Sequence, residues 1–323
     1  MAGILELNQA QSFINERFGD RAGEVSRMSG GDWSQAYALS LDGSPVILRL
    51  GRHGDDYLKD QIVTRWSSDV LPIPKVIELG EAPFGFFAVS ERAYGEFLDQ
   101  LDDKRMTALL PDLFRVMDAI REIDVSETQG YGLWTPDGRG LQTSWKEALL
   151  SKFSSDLPGS RTHGWRSALE GSPNGAADFD SALSVLEQLT DLMPSDRHVI
   201  HGDLLNGNVL VRQDRVSAVL DWGNSMYGDH LFDAAWLLYC QPRYTTWPDV
   251  DLRGQLQRHW EQAGPIPDDL ELRLLCYQIH IGLDGQLYAA FKGNWDEIER
   301  NRIQTMALVE NAVAALGNGE VSV

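Results

Sequence analysis

The stretch His201-Gly202-Asp203-Leu204-Leu205-Asn206-Gly207-Asn208-Val209-Leu210-Val211, followed by Val219-Leu220-Asp221-Trp222, decides the fold. Val209 to Val211 reads as a short strand, and so does Val216 to Leu220. Gln213 to Val216 lies between them and can close a tight hairpin. Folding the chain about Asp214-Arg215 brings Asn208 opposite Asp221, within one residue of register. Two oxygen ligands from distant positions then face one point, as a hard cation that keeps several waters requires. Asp203, five residues before Asn208, sits in the loop that leads into the hairpin.

An Asp, an Asn and a second Asp in this order suit phosphoryl transfer: a catalytic-loop carboxylate followed by two metal ligands. An ordinary Asn/Gly-rich turn would need three polar groups to fall in register by chance. Gly202 stands between His201 and Asp203, where protein kinases carry Arg, and Asp221 is followed by Trp222 rather than Phe-Gly.

The chain has 323 residues, 43% of them apolar, enough for a sizeable core in one large or two modest domains. No apolar run reaches the length of a membrane span. Met1 to Phe18 alternates polar and apolar residues without a basic start, so no signal peptide is indicated. Two cysteines, Cys240 and Cys276, make no disulfide framework and read as core thiols of a reduced, cytoplasmic protein. The formal net charge of −20 argues against nucleic acid or an anionic membrane as partner. It permits steering of a cationic small molecule, or serves solubility alone.

Gly3 to Phe18 reads as a helix with Ile4, Phe13, Ile14 and Phe18 inward. Tyr37 to Leu41 and Pro45 to Leu50 flank Asp42-Gly43-Ser44, a hairpin signal. Leu58 to Ser67 is a helix candidate, and Val76 to Leu79 and Phe86 to Ser90 are further strands. From Phe97 onward helical periodicity dominates, with candidates at Met106 to Glu122, Phe179 to Leu192, Leu231 to Tyr239, Leu252 to Ala263, Leu270 to Phe291 and Asp296 to Leu316. Ser126 to Ser160 is rich in Gly, Thr and Ser and reads as a long ordered loop. Tyr94-Gly95 marks a crossing, giving residues 1–94 and 95–323 as the expected domains. The fold class is α+β, with a small antiparallel sheet followed by a large, mainly helical part.

Gly30-Gly31 with Ser34 precedes the first hairpin without a Walker pattern, and is either a plain turn or a turn whose amides lie over phosphates. Arg49 occupies the strand position where kinases hold a Lys. It is either an exposed edge residue or a bidentate phosphate ligand. Asp60 is the best-placed acidic partner for it. An adenine would be read by backbone groups of Glu91 and Ala93, where Phe87 to Ala93 runs into the crossing.

Leu71-Pro72-Ile73-Pro74, Arg92-Ala93-Tyr94-Gly95, Thr143-Ser144-Trp145-Lys146, the two stretches quoted first, Met226-Tyr227-Gly228-Asp229 and Ile281-Gly282-Leu283-Asp284 with Gln286-Leu287-Tyr288 occur in that order. Together they resemble the aminoglycoside phosphotransferase family, and the Thr143 and Ile281 segments resemble its hygromycin branch. The resemblance covers nearly the whole chain. It implies a bilobal, protein-kinase-like fold, Mg²⁺, ATP or GTP as co-substrate, and transfer of the γ-phosphate to an aminoglycoside hydroxyl, a reaction that confers antibiotic resistance. It implies Asp203 as catalytic base and Asn208 and Asp221 as metal ligands, with His201 supporting the loop. Asp229 fits a helix cap that braces the loop. Asp284, on an apolar helical stretch, needs a partner, which is a cationic ligand or an internal group. Trp145 and Tyr288 either wall an acceptor pocket or pack in the core. Asp296 and Glu297 either contact the acceptor or complement a helix dipole. A monomer is expected. The competing readings are a kinase for another alcohol, such as choline or a different antibiotic, and a non-catalytic nucleotide-binding module.

Overall fold

The computed structural model describes residues 7–28, 31–153, 156, 158–264 and 266–317. In chain order they form α1 (Leu7–Phe18), β1 (Ser26–Arg27), β2 (Ser34–Leu41), β3 (Ser44–Gly51), α2 (Gly54–Val63), β4 (Val76–Ala82), β5 (Gly85–Glu91), β6 (Glu96–Phe97), α3 (Asp103–Arg121), β7 (Tyr131–Trp134), β8 (Gly140–Gln142), α4 (Trp145–Leu150), α5 (Trp165–Glu170), α6 (Ala177–Thr190), β9 (His198–Ile200), β10 (Val209–Arg212), β11 (Arg215–Val219), β12 (Met226–Gly228), α7 (Leu231–Cys240), α8 (Leu252–Ala263), α9 (Leu270–Lys292) and α10 (Trp295–Gly317). They divide into two compact units. The first is residues 1–119, 135–137 and 205–224, and the second is 120–134, 138–204 and 225–323.

In the first unit β1, β2, β3, β5 and β4 form an antiparallel sheet in that order. The β2–β3 turn is Asp42-Gly43, with φ 52° and 79°. Both values are left-handed, as a two-residue hairpin that matches strand twist requires. Alternation along β3 buries Val46, Leu48 and Leu50 on one face and leaves Ile47 and Arg49 on the other. The apolar face is covered by Phe13 and Ile14 of α1, with Ala10 and Phe18, at helical spacing. Ile4 lies outside the described residues. A second sheet, ordered β11-β10-β6, carries the hairpin quoted at the outset. Its turn is Gln213-Asp214, one residue earlier than expected, which moves the partner of Asn208 back by two, and a bulge after Leu210 recovers one of them.

In the second unit β8, β7, β12 and β9 form a four-stranded antiparallel sheet. Ser126 to Ser160, expected as one long loop, therefore holds two strands and α4. The helices pack around α9, which is apolar on most of its circumference, as a central helix must be. A Cβ on Gly282 would lie 2.1 Å from the Thr305 hydroxyl, so this glycine is what lets α9 and α10 approach so closely. No helix among the described residues is long and apolar enough to cross a membrane.

Candidate active site

The polar face of β3 aims Arg49 at α2. Its guanidinium forms an ion pair with Asp60 and lies 5.0 Å from the Tyr57 ring centroid. Burial weakens the hold of Arg49 on its proton, but Asp60 and Asp221 together outweigh it and raise the pKa. Asp60 uses its other oxygen to accept the Trp222 N–H at 2.9 Å. One carboxylate thus joins the β3 cation to the chain just after Asp221. The same helix reaches that turn with Lys59, which is buried and donates from Nζ to the Gly223 carbonyl at 2.9 Å.

The hairpin pairs Val209 with Val219, and the Leu220 N–H donates to the Asn208 carbonyl at 2.8 Å. Asn208 therefore lies opposite Leu220, one residue from Asp221, as far off as the sequence allowed. Asp221 adopts φ 56°. Lost hydration and the Asp60 charge raise its carboxyl pKa, Arg49 lowers it, and Asp56 raises it again. The residue as a whole keeps solvent access, and the neighbouring charges of Asp60, Arg49 and Asp56 act on it. Asp221 feels the charges of Asp60 and Asp56 and lies one residue from the position opposite Asn208, and these oxygen-bearing residue types fit a hard cation such as Mg²⁺. No group of three His, Cys, Asp or Glu side chains that could hold a metal ion occurs among the described residues.

In the second unit Asp203 is half-buried, on a loop whose backbone is pinned from behind. The N–H groups of His201 and Gly202 donate to Asp233 at 2.9 and 2.8 Å, and the Asp203 N–H donates to His201 Nδ1 at 3.2 Å. Gly202 has φ 78°, a left-handed value that an Arg would adopt only under strain. Asp233 was not singled out from the sequence; the available signal is a carboxylate in the otherwise apolar run Leu231 to Cys240. Burial raises its pKa to about 6 against the two N–H bonds that favour the anion. Asp229, expected as the cap of the helix that follows, takes that place. It accepts both Nε and Nη2 of Arg273, at 2.8 and 2.7 Å, the Tyr277 hydroxyl and the Leu231 N–H. It caps α7 and ties it to α9, while Asp233 holds the loop.

Gly30 lies outside the described residues. Gly31 is exposed and Ser34 opens β2 half-buried. The Glu91 N–H at the end of β5 donates to the Lys75 carbonyl at 2.9 Å, and Ala93 follows outside any strand. Trp145 is buried, with its indole N–H donating to Tyr277 at 3.2 Å, so the core alternative holds for it. Tyr288 is half-buried beside Phe291 and Lys292. Asp284 has its partner in Lys152, at 2.7 Å. Asp296 is exposed in the first turn of α10. Glu297 pairs with Arg243 at 3.0 Å and Arg300 at 2.7 Å. Burial pushes the Cys240 thiol up to about 12. Arg243 opposes this, while Asp203 and Glu297 add to it, so both carboxylates lie within electrostatic reach of that sulfur.

A family model described as a phosphotransferase enzyme family matches residues 24–275. The chain is 28% identical over 320 residues to the hygromycin-B 4-O-kinase of Escherichia coli, covering 98% of this chain and 89% of that protein. Among solved structures it resembles a thermostable mutant of aminoglycoside phosphotransferase APH(4)-Ia in ternary complex with AMP-PNP and hygromycin B. The TM-score is 0.81 at 28% identity, covering 94% of this chain and 98% of that one. The GDP complex of aminoglycoside 2'-phosphotransferase-IIIa shares the fold, with a TM-score of 0.58 at 16% identity over 95% of this chain and 98% of that one.

Proposed function

Because the chain belongs to the phosphotransferase enzyme family, we propose that it moves the γ-phosphoryl group of ATP or GTP to a hydroxyl of a hygromycin-like aminoglycoside, and so confers resistance to it. The observation that carries this reading is Asp203 on a loop pinned by Asp233, five residues ahead of the hairpin that bears Asn208 and Asp221. Asp203 orients the acceptor hydroxyl and takes its proton as the oxygen forms its bond to the γ-phosphorus. The bond from that phosphorus to the β,γ-bridging oxygen breaks, and the nucleoside diphosphate leaves. Arg49, fixed by Asp60, faces phosphate oxygens with a guanidinium fork. When bound by Asn208 and Asp221, Mg²⁺ would neutralise the charge on the phosphates. Residues 1–94 serve the nucleotide, with Gly30, Gly31 and Ser34 at the phosphates and Glu91 and Ala93 at the base. Residues 95–323 serve catalysis, metal and acceptor. Asp296, Glu297 and Tyr288 are the acceptor candidates, and the net charge of −20 favours a polycationic substrate. The protein acts as a cytoplasmic monomer.

The test is an assay with ATP or GTP and Mg²⁺ against hygromycin B, kanamycin and choline, read as the gain of one phosphoryl group by mass spectrometry. Phosphorylated hygromycin B is expected. Phosphorylation of choline alone would make this a kinase of another alcohol, and no product with any acceptor would make it a non-catalytic binder.

A further inference from the structure

Asp56, Lys59 and Asp60 stand at positions i, i+3 and i+4 of α2 and so share one face of the helix. That face meets the Trp222–Asn224 turn three times. Asp60 accepts the Trp222 N–H, Lys59 donates to the Gly223 carbonyl, and a Cβ on Gly223 would lie 3.0 Å from the Asp56 carboxyl carbon. Trp222 also packs edge-on against Trp66, just beyond α2, with ring centroids 6.0 Å apart. Lys59 is the unexpected member. A lysine that is 4% exposed has left water almost completely, which is costly unless its ammonium is engaged. It is engaged with backbone two residues after Asp221, whose own backbone sits at φ 56°. A residue held in that region depends on its surroundings to stay there.

We propose that Lys59 is a positioning residue. Its bond to the Gly223 carbonyl holds the turn that sets Asp221 and thereby tunes the metal dependence of nucleotide binding. This rests on the proposed reading of Asp221 as a Mg²⁺ ligand. Lys59 touches neither nucleotide nor acceptor in that scheme. Its removal therefore affects Mg²⁺-dependent binding and leaves metal-free nucleotide binding and acceptor binding alone.

The experiment is calorimetric titration of ADP into the full chain, with and without Mg²⁺, for the wild type, Lys59→Met and Lys59→Arg. Met keeps the apolar stem and loses the donor, whereas Arg keeps a charged donor. The expected result is an MgADP Kd about tenfold weaker in Lys59→Met, the scale of one lost charge-assisted hydrogen bond. ADP binding without Mg²⁺ and the Kd for hygromycin B should be unchanged, and Lys59→Arg should recover most of the loss. A folded Lys59→Met with an MgADP Kd within twofold of wild type would overturn the proposal, as would equal weakening with and without Mg²⁺. If Lys59→Met does not fold, Lys59→Gln, a shorter donor, is titrated instead under the same expectations. Failure of both to fold makes Lys59 a requirement of the fold and overturns the positioning role. A wild type whose ADP binding ignores Mg²⁺ would instead sink the metal reading itself.

Discussion

Asp233 accepts the backbone N–H of Gly202 at 2.8 Å across 31 residues of chain, and it does so from a buried position where its pKa is raised to about 6. The folded value exceeds the unfolded one, so the folded state favours the protonated acid. That stabilisation is complete below pH ~4 and is lost as pH rises through ~6, a change on the order of 3 kcal/mol. Urea unfolding of the wild type and Asp233→Asn at pH 4, 5, 6 and 7 isolates this group. Wild-type stability minus mutant stability should fall by that order across the window. A difference independent of pH would remove Asp233 as a titrating group.

Asp203→Asn keeps the size of the side chain and its place on the pinned loop, but cannot take a proton. Turnover should fall by about two orders of magnitude or more, with nucleotide binding nearly retained. Steady-state kinetics together with ADP titration decide the matter, and near-normal turnover would take Asp203 out of the mechanism.

Asp221 combines a left-handed backbone with the carboxylate assigned to the metal. Asn tolerates that backbone and Ala does not, at a cost of about 1 kcal/mol. Asp221→Asn and Asp221→Ala should therefore both lose the strengthening of ADP binding by Mg²⁺, and only Ala should also lower the melting temperature. Unchanged affinity at saturating Mg²⁺ in a folded variant would contradict the assignment.

Asp284 is satisfied by Lys152, and both side chains retain solvent, so the pair is worth no more than ~1 kcal/mol. Asp284→Asn should leave the nucleotide and aminoglycoside KM values within about twofold. A selective rise in the aminoglycoside KM would return Asp284 to the acceptor site. Independently, the aminoglycoside KM should rise with salt, because exposed attraction is screened over about 10 Å at 0.1 M. A salt-independent KM points to a neutral acceptor.

The elements that were legible in the sequence are those with long or sharply bounded patterns. Leu252–Ala263 is found at the bounds its periodicity gives, and Asp42-Gly43 marks its hairpin because few other residue pairs accept two left-handed values. The Asn208 register came within one residue: the turn at Gln213-Asp214 shifts it by two, and the bulge after Leu210, which no composition rule signals, recovers one of them. Ser126 to Ser160 was misread because β7, β8 and α4 span only four, three and six residues, too few for a period to show. Within the candidate site, the groups proposed for phosphate and metal were named by motif. The groups that hold them, Lys59 and Asp233, could not, because each works through another segment's backbone, which leaves no mark on residue type.

The first unit is made of chain that the ribosome delivers at well-separated times. Asp60 must wait for the Trp222 amide 162 residues later, and β6 pairs with β10, through Leu210 opposite Phe97. At about 5–20 residues per second, that wait is roughly ten to thirty seconds. Through it the nascent β6 lacks its strand partner, and Asp60, already paired with Arg49, lacks the Trp222 amide. The β1–β5 sheet and its α1 cover lie wholly before residue 92 and can close early, whereas β6 and the contacts of α2 to the Trp222–Asn224 turn close only after residue 224 has emerged. A gene split after residue 119 would leave the five-stranded sheet whole but strip β6 of β10, and supplying the second piece in trans would restore that pairing.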